Sequence, residues 1–317
     1  MDKLLKGSLF VTSAAIIWGG TPIIEKAALN IVNPMVLGAW RYFLAGLVLF
    51  VYLRIKKVNI DIGSIAGKQL FIASLFNSTA VPIFFYYGLS LTDPVTTASI
   101  GNTGVLWVAL LGTAFLKEKI KTDELAGTLL ILFGVYAMLN GFSFESSIGA
   151  VMVAVAALSG AIAMIIERKL LHRLNPLVVT LYDRAVGGSI SLIAALFLFG
   201  SKAVLIGIIG WAYLIFLAIF GALLPAVLFF NGLKLIEAER SAAILSTAPL
   251  FTLVFTLLFM NVPITQSQVS GALLIFVGVI MLSMSRKILF VTRNYVSLLV
   301  RYEKDGVRRI LDKMRSL

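Results

Sequence analysis

Apolar residues do not alternate with polar ones along this chain; they run together. Stretches of about 20 apolar residues fall at roughly 7–27, 34–53, 68–91, 95–116, 124–142, 148–167, 176–199, 208–233, 240–260 and 267–285. At 1.5 Å per residue, that is the length a helix needs to cross the hydrocarbon core of a bilayer. The runs lack the polar stripe of a helix that keeps one face in water. Turn and cap signals separate them, among them Asn33-Pro34, Asp93-Pro94, Asn175-Pro176 and Asn261-Val262-Pro263. The pattern predicts an all-α polytopic membrane protein with ten transmembrane helices.

Composition agrees: 60% of residues are hydrophobic, 13% are charged, and the mean hydropathy is +1.00. A soluble domain cannot hide that much apolar surface. The first run has no small-residue cleavage site after it, so it is read as a span. The net charge of +12 comes from loops rather than from a nucleic-acid face. With the N-terminus inside, 23 of the 27 Lys and Arg residues fall in cytoplasmic pieces, and only Lys26 and Lys202 fall in outer ones. The positive-inside rule then puts both termini in the cytoplasm and the chain in the cell membrane.

The chain also repeats itself. "YGLSLTDPVTTASIGNTGVL" (87–106) aligns with "NGLKLIEAERSAAILSTAPL" (231–250) at a shift of 144, and "GTLLILFGV" (127–135) with "GALLIFVGV" (271–279). At a shift of 142, Gly7, Glu25, Asn33 and Pro34 recur as Gly149, Glu167, Asn175 and Pro176. Residues 1–145 and 146–285 therefore read as two five-helix units. Five is odd, so the second unit enters the membrane from the opposite side, and the halves are inverted repeats. Residues 286–317 form a basic tail with Val307, Ile310, Leu311, Met314 and Leu317 at helical spacing. It reads as an amphipathic helix on anionic lipid.

Polar residues inside the runs are the candidates for function. Gly19-Gly20-Thr21-Pro22 should loosen the first helix, since glycine is permissive and proline lacks a donor. Such a break must face protein or a watery cavity, which makes Gly19, Gly20 and Pro22 hinge candidates and Trp18 a candidate lining residue. Pro82 and Pro225 interrupt the third and eighth runs at nearly equivalent positions and join the hinge set. Glu25 and Lys26 lie close enough to a membrane face to be solvated there. Arg41, Asp183 and Arg184 lie deeper, about 10 Å beyond Pro34 or Pro176. Charges at such depth pair structurally or bind and couple; Arg41 is a candidate partner for a substrate carboxylate, and Asp183, Arg184 and Glu25 a coupling or ion-pair set.

"WGGTP" in the first run, an Arg in the second, and "GLSLTDPVTTASI" leading into "FLKEKI" and "GTLLILFGV" resemble the EamA family of the drug/metabolite transporter superfamily, from residue 7 to about 285. Asn102-Thr103-Gly104 stands where the family often has proline, while Pro249 keeps it; Glu118 has no counterpart at Val262. The resemblance implies that Asn77, Asn102, Thr103, Asn231, Ser246 and Thr247 fall on cavity-lining spans, with Tyr86 among the aromatics that could form its walls. It also implies a secondary transporter, an exporter of small organic metabolites such as amino acids, working by alternating access; a lipid flippase or scramblase is the alternative. No enzyme is expected: the chain has no cysteine, and its one histidine, His172, sits in a basic loop without an acid cluster. No cofactor, metal or nucleic acid is called for. The partners are a small-molecule substrate and membrane lipid, and a monomer suffices.

Overall fold

The computed structural model describes residues 3–104, 106–107, 110–111, 122–139, 143–171, 173–233, 235–236, 244–260 and 264–281. They form α1 (Lys3–Ala28), α2 (Pro34–Ile55), α3 (Gly63–Leu91), α4 (Pro94–Gly101) and α5 (Thr122–Leu139). Then come α6 (Phe144–Leu171), α7 (Pro176–Phe199), α8 (Gly207–Phe216 continuing through Leu224–Leu233), α9 (Ala248–Phe259) and α10 (Gln266–Met281). Six are long and apolar enough to cross a membrane: α1, α2, α3, α6, α7 and α8. The apolar helices α5, α9 and α10 are shorter over the described residues. The basic tail and His172 lie outside them.

Helix starts follow the expected chemistry. Asn33 and Asn175 each cap a helix, their Oδ1 accepting from Met35 N and Leu177 N at 3.0 Å, with Pro34 and Pro176 in the first turn. Asp93 caps α4 through Thr96 N at 2.9 Å and is tied to α10 by Gln268 Nε2 at 2.7 Å. Outer faces carry bare hydrocarbon, such as Phe197, Leu257 and Phe259, which suits lipid and not water.

Helix contacts come in matched pairs. α1 crosses α8 where Gly7 meets Gly232, and α6 crosses α3 where Gly149 meets Gly88. A Cβ on Gly7 or Gly232 would sit 3.3 or 2.9 Å from the other's carbonyl oxygen; for Gly149 and Gly88 the distances are 2.9 and 2.7 Å. Gly7 corresponds to Gly149, and Gly232 to Gly88, at the repeat shifts. The extensive packing of α2 on α7 joins repeat mates directly: a Cβ on Gly46 would meet Ala185 N at 2.7 Å, and one on Gly188 would meet Phe43 N at 2.5 Å. Because 43 pairs with 188 and 46 with 185, these helices run antiparallel. Small residues let the backbones approach this closely, where lipid gives no hydrophobic push between helices.

One expectation is corrected. α1 runs unbroken through Gly19-Gly20-Thr21-Pro22. Gly19 lies at the crossing with α9, where a Cβ would be 2.6 Å from Ala248 O, and Thr252 Oγ1 donates to Gly19 O at 2.7 Å. The real irregularities are π-helical turns at Leu75–Ala80 in α3 and Leu217–Leu223 in α8, which begin at repeat-equivalent positions and lead into Pro82 and Pro225. A π turn inserts a residue into the helix, and the second is one residue longer, which accounts for part of the drift in the repeat shift from 142 to 144.

Candidate functional site

α4 and α9 meet at breaks in their own helices. Asn102-Thr103 and Ser246-Thr247 form turns at positions 144 residues apart. Each threonine N–H bonds the carbonyl three residues back, Thr103 to Ile100 O at 3.0 Å and Thr247 to Ile244 O at 3.1 Å. Each hydroxyl donates to the same carbonyl at 2.6 Å. Asn102 Nδ2 reaches Ser246 O at 3.4 Å, so the two breaks touch. Close by in sequence, Ser99 Oγ and Trp107 Nε1 are buried and find no hydrogen-bond partner among the described residues. A tightened turn leaves backbone groups outside the helical ladder, and here that happens twice at one contact.

The first charge cluster joins α1, α2, α3 and α8. Arg41 donates to Glu25 and to the Tyr86 hydroxyl, and its other terminal nitrogen to Gly221 O at 2.9 Å. Glu25, Arg41 and Tyr86 are all buried, which corrects the interfacial reading of Glu25. Its neighbour Lys26 is also turned inward: Nζ donates to Leu89 O, Ser90 O and Thr92 O at 2.6, 2.9 and 2.6 Å, capping the C-terminal end of α3.

The second cluster joins α3, α6 and α7. Asp183 Oδ2 accepts from Asn77 Nδ2 at 3.0 Å and Ser78 Oγ at 2.8 Å, and Arg184 stands 3.4 Å away. Arg184 also donates to Ser78 Oγ at 2.9 Å and stacks 4.3 Å over the Tyr42 ring. Asn77 Nδ2 bonds Glu167 Oε1 at 3.4 Å.

Prolines tie both clusters to the π turns. Pro82 cannot bond the carbonyl four residues back, Ser78 O, and Ser191 Oγ donates to it at 3.2 Å. Pro225 likewise leaves Gly221 O, the acceptor of Arg41. Ser78 and Gly221 were legible, with hindsight, as the residues four before each proline; Ser191, Tyr42 and the role of Glu167 carried no such signal.

Of the remaining candidates, Trp18 packs tilted against Phe229 at 5.9 Å. Asn231 is exposed, and its amide bonds Val227 O at 2.8 Å on its own helix. Gly20 lies beside the Phe255 ring. The fold thus gathers Asn102, Thr103, Ser246 and Thr247 at one contact, Glu25, Arg41 and Tyr86 in a second group, and Asn77, Asp183 and Arg184 in a third.

A chain of apolar helices with lipid-suited faces, crossed by paired breaks and buried charges, is a multi-pass membrane protein. Residues 5–140 and 147–284 each match the EamA-like transporter family, and the chain belongs to that family. It is 27% identical to an uncharacterized transporter, YyaM, of Bacillus subtilis (strain 168), over 88% of this chain and 93% of that one. It is 22% identical to an uncharacterized transporter of Methanothermobacter thermautotrophicus, over 88% and 87%. A crystal structure shares the fold at a TM-score of 0.62 and 17% identity, covering 89% of this chain and 98% of the other.

Proposed function

We propose that this chain is a secondary carrier of small organic metabolites, amino acids among them, in the cell membrane with both termini cytoplasmic. In this reading ten helices form two inverted five-helix halves, and rocking between them exposes the α4–α9 contact to each side in turn. The observation that carries it is the pair of touching helix breaks at Asn102-Thr103 and Ser246-Thr247. The exchanged Gly7–Gly232 and Gly149–Gly88 contacts and the antiparallel packing of repeat mates α2 and α7 support the inversion. The break itself holds amide, hydroxyl and backbone groups and no charged side chain, which suits a zwitterion or a hydroxylated solute. The direction in this reading is outward, for a metabolite made inside the cell.

The test is counterflow in liposomes. Purified protein is reconstituted with a mixture of unlabelled amino acids, nucleosides and sugars inside, and labelled members are added outside. Accelerated uptake of one class is expected, falling about tenfold in Asn102→Ala if a single hydrogen bond of roughly 1.4 kcal/mol is lost. No counterflow of any class, with accelerated reporter-lipid movement, would replace the carrier by a lipid transporter.

A further inference from the structure

Among the described residues, the Asp183 cluster holds more acid than base. One nitrogen, Asn77 Nδ2, bonds both Asp183 and Glu167, at 3.0 and 3.4 Å. A side-chain amide has two hydrogens, one for each carboxylate, so the two acids from α7 and α6 are close neighbours. Asn77, Ser78 and Arg184 all converge on Asp183 Oδ2. The other oxygen, Oδ1, is buried and has no hydrogen-bond partner among the described residues, in a side chain only 3% exposed.

The surrounding groups among the described residues do not restore the balance. On α7 the one base is Arg184, already shared between Asp183, Ser78 and the Tyr42 ring. α3 contributes Asn77 and Ser78, neither ionisable. α2 contributes Tyr42 and Arg41, and Arg41 is turned to Glu25, Tyr86 and Gly221 O. The stretch of α8 from residue 217 to 233 has no ionisable residue. Glu167 is followed by Arg168, whose side chain lies outside those described. With both acids ionised, the described cluster carries two negative charges against one positive. The Glu25–Arg41 cluster, at the equivalent place in the other half, is matched one to one.

We propose that Glu167 and Asp183 together form a proton-binding site, holding one exchangeable proton between them, with Asn77, Ser78 and Arg184 as positioning residues. The inference rests on the carrier reading for its use: a proton held in one access state and released in the other couples transport to the proton gradient. One proton brings the cluster to the neutrality of its counterpart. A net charge buried within a membrane-spanning bundle is costly even on insertion scales. The added hydroxyl also supplies a donor where Oδ1 now has no partner, and two carboxylates held this close favour protonation of one.

Infrared spectroscopy of the lipid-reconstituted protein tests this without any substrate. Wild type should show a protonated-carboxyl C=O band at neutral pH that disappears on raising the pH. Glu167→Gln and Asp183→Asn should each abolish it, while Glu25→Gln keeps it. Glu167 is only half-buried, so its variant serves even if Asp183→Asn fails to fold. A wild type without the band at neutral pH, or a band that survives both substitutions, overturns the proposal. Carboxylate bands that shift on adding sodium, with no protonated band, overturn it in favour of a metal cation. Failed counterflow beside an intact band removes the carrier reading alone; counterflow without the band removes only the proton site.

Discussion

Arg41 and Asp183 stand at the same place in the two halves, 142 residues apart, yet one is the cation of a matched pair and the other the anion of an acid-rich group. Glu25 and Glu167 are repeat mates as well, so each half keeps a glutamate facing the second helix of its unit. Only the answering residue changed sign. Tyr42 and Arg184 are also mates, and they stack on each other, so the compensating cation of the second half leans on the first. The duplication preserved the backbone contacts, down to glycine positions, while the chemistry of the two polar groups diverged. The first resembles a structural clamp: it ties α1, α2 and α3 to a carbonyl freed in α8. The second leaves a buried oxygen with no hydrogen-bond partner among the described residues.

The largest effect should come from breaking the clamp. Arg41→Met leaves Glu25 buried without its cation and Gly221 O without its donor, at a cost of about 3–5 kcal/mol. Thermal unfolding in detergent would read this as a large drop in midpoint. The double variant Glu25→Met with Arg41→Met should recover most of it, because no charge is then stranded. In the other half Arg184→Met should cost less, since that side chain is 20% exposed and so partly solvated. Equal losses for Arg41→Met and Arg184→Met would erase the distinction between clamp and open site.

Next in size is the shared backbone contact. Gly46→Ala and Gly188→Ala each drive a Cβ into the facing helix backbone and should destabilise by about 1–3 kcal/mol. Because the two contacts are exchanged copies of one another, their midpoints should fall by similar amounts. A large inequality would show that α2 and α7 do not pack as equivalents. Smallest is Ser191→Ala, which removes the donor to Ser78 O and should cost about 1 kcal/mol. Unlike Arg41→Met it strands no charge, so the same freed-carbonyl geometry in the two halves should give very different losses.

Much of this could be read along the chain. Apolar runs located the helices, the Asn-Pro pairs located two of their starts, and matching words such as "GLSL" and "GLKL" exposed the duplication. Depth from Pro34 and Pro176 marked Arg41, Asp183 and Arg184 as unusual. Other placements depend on rotation about the helix axis, which the sequence does not carry. Glu25 lies near a helix end, which looks like an interface, but its face of α1 turns toward α2. Gly19 and Gly20 look like a weak point because glycine favours no helix, yet α1 stays helical there, packed closely against α9. Asn231 sits on an expected lining helix and is exposed, its amide bonded to Val227 O on its own turn.

The sequence by itself determined that this protein crosses a membrane many times and that its two halves share one plan. Those facts follow from the length of the apolar runs and from repeated residues, both properties of the chain in one dimension. Only the tertiary structure decided that Asn102 touches Ser246, that Arg41 answers Glu25, and that Asn77 draws Glu167 and Asp183 together. Each of those contacts depends on how a helix is rotated about its axis and which neighbour it meets. Glycine crossings and proline-freed carbonyls set that rotation across residues far apart in the chain, so no local pattern records it.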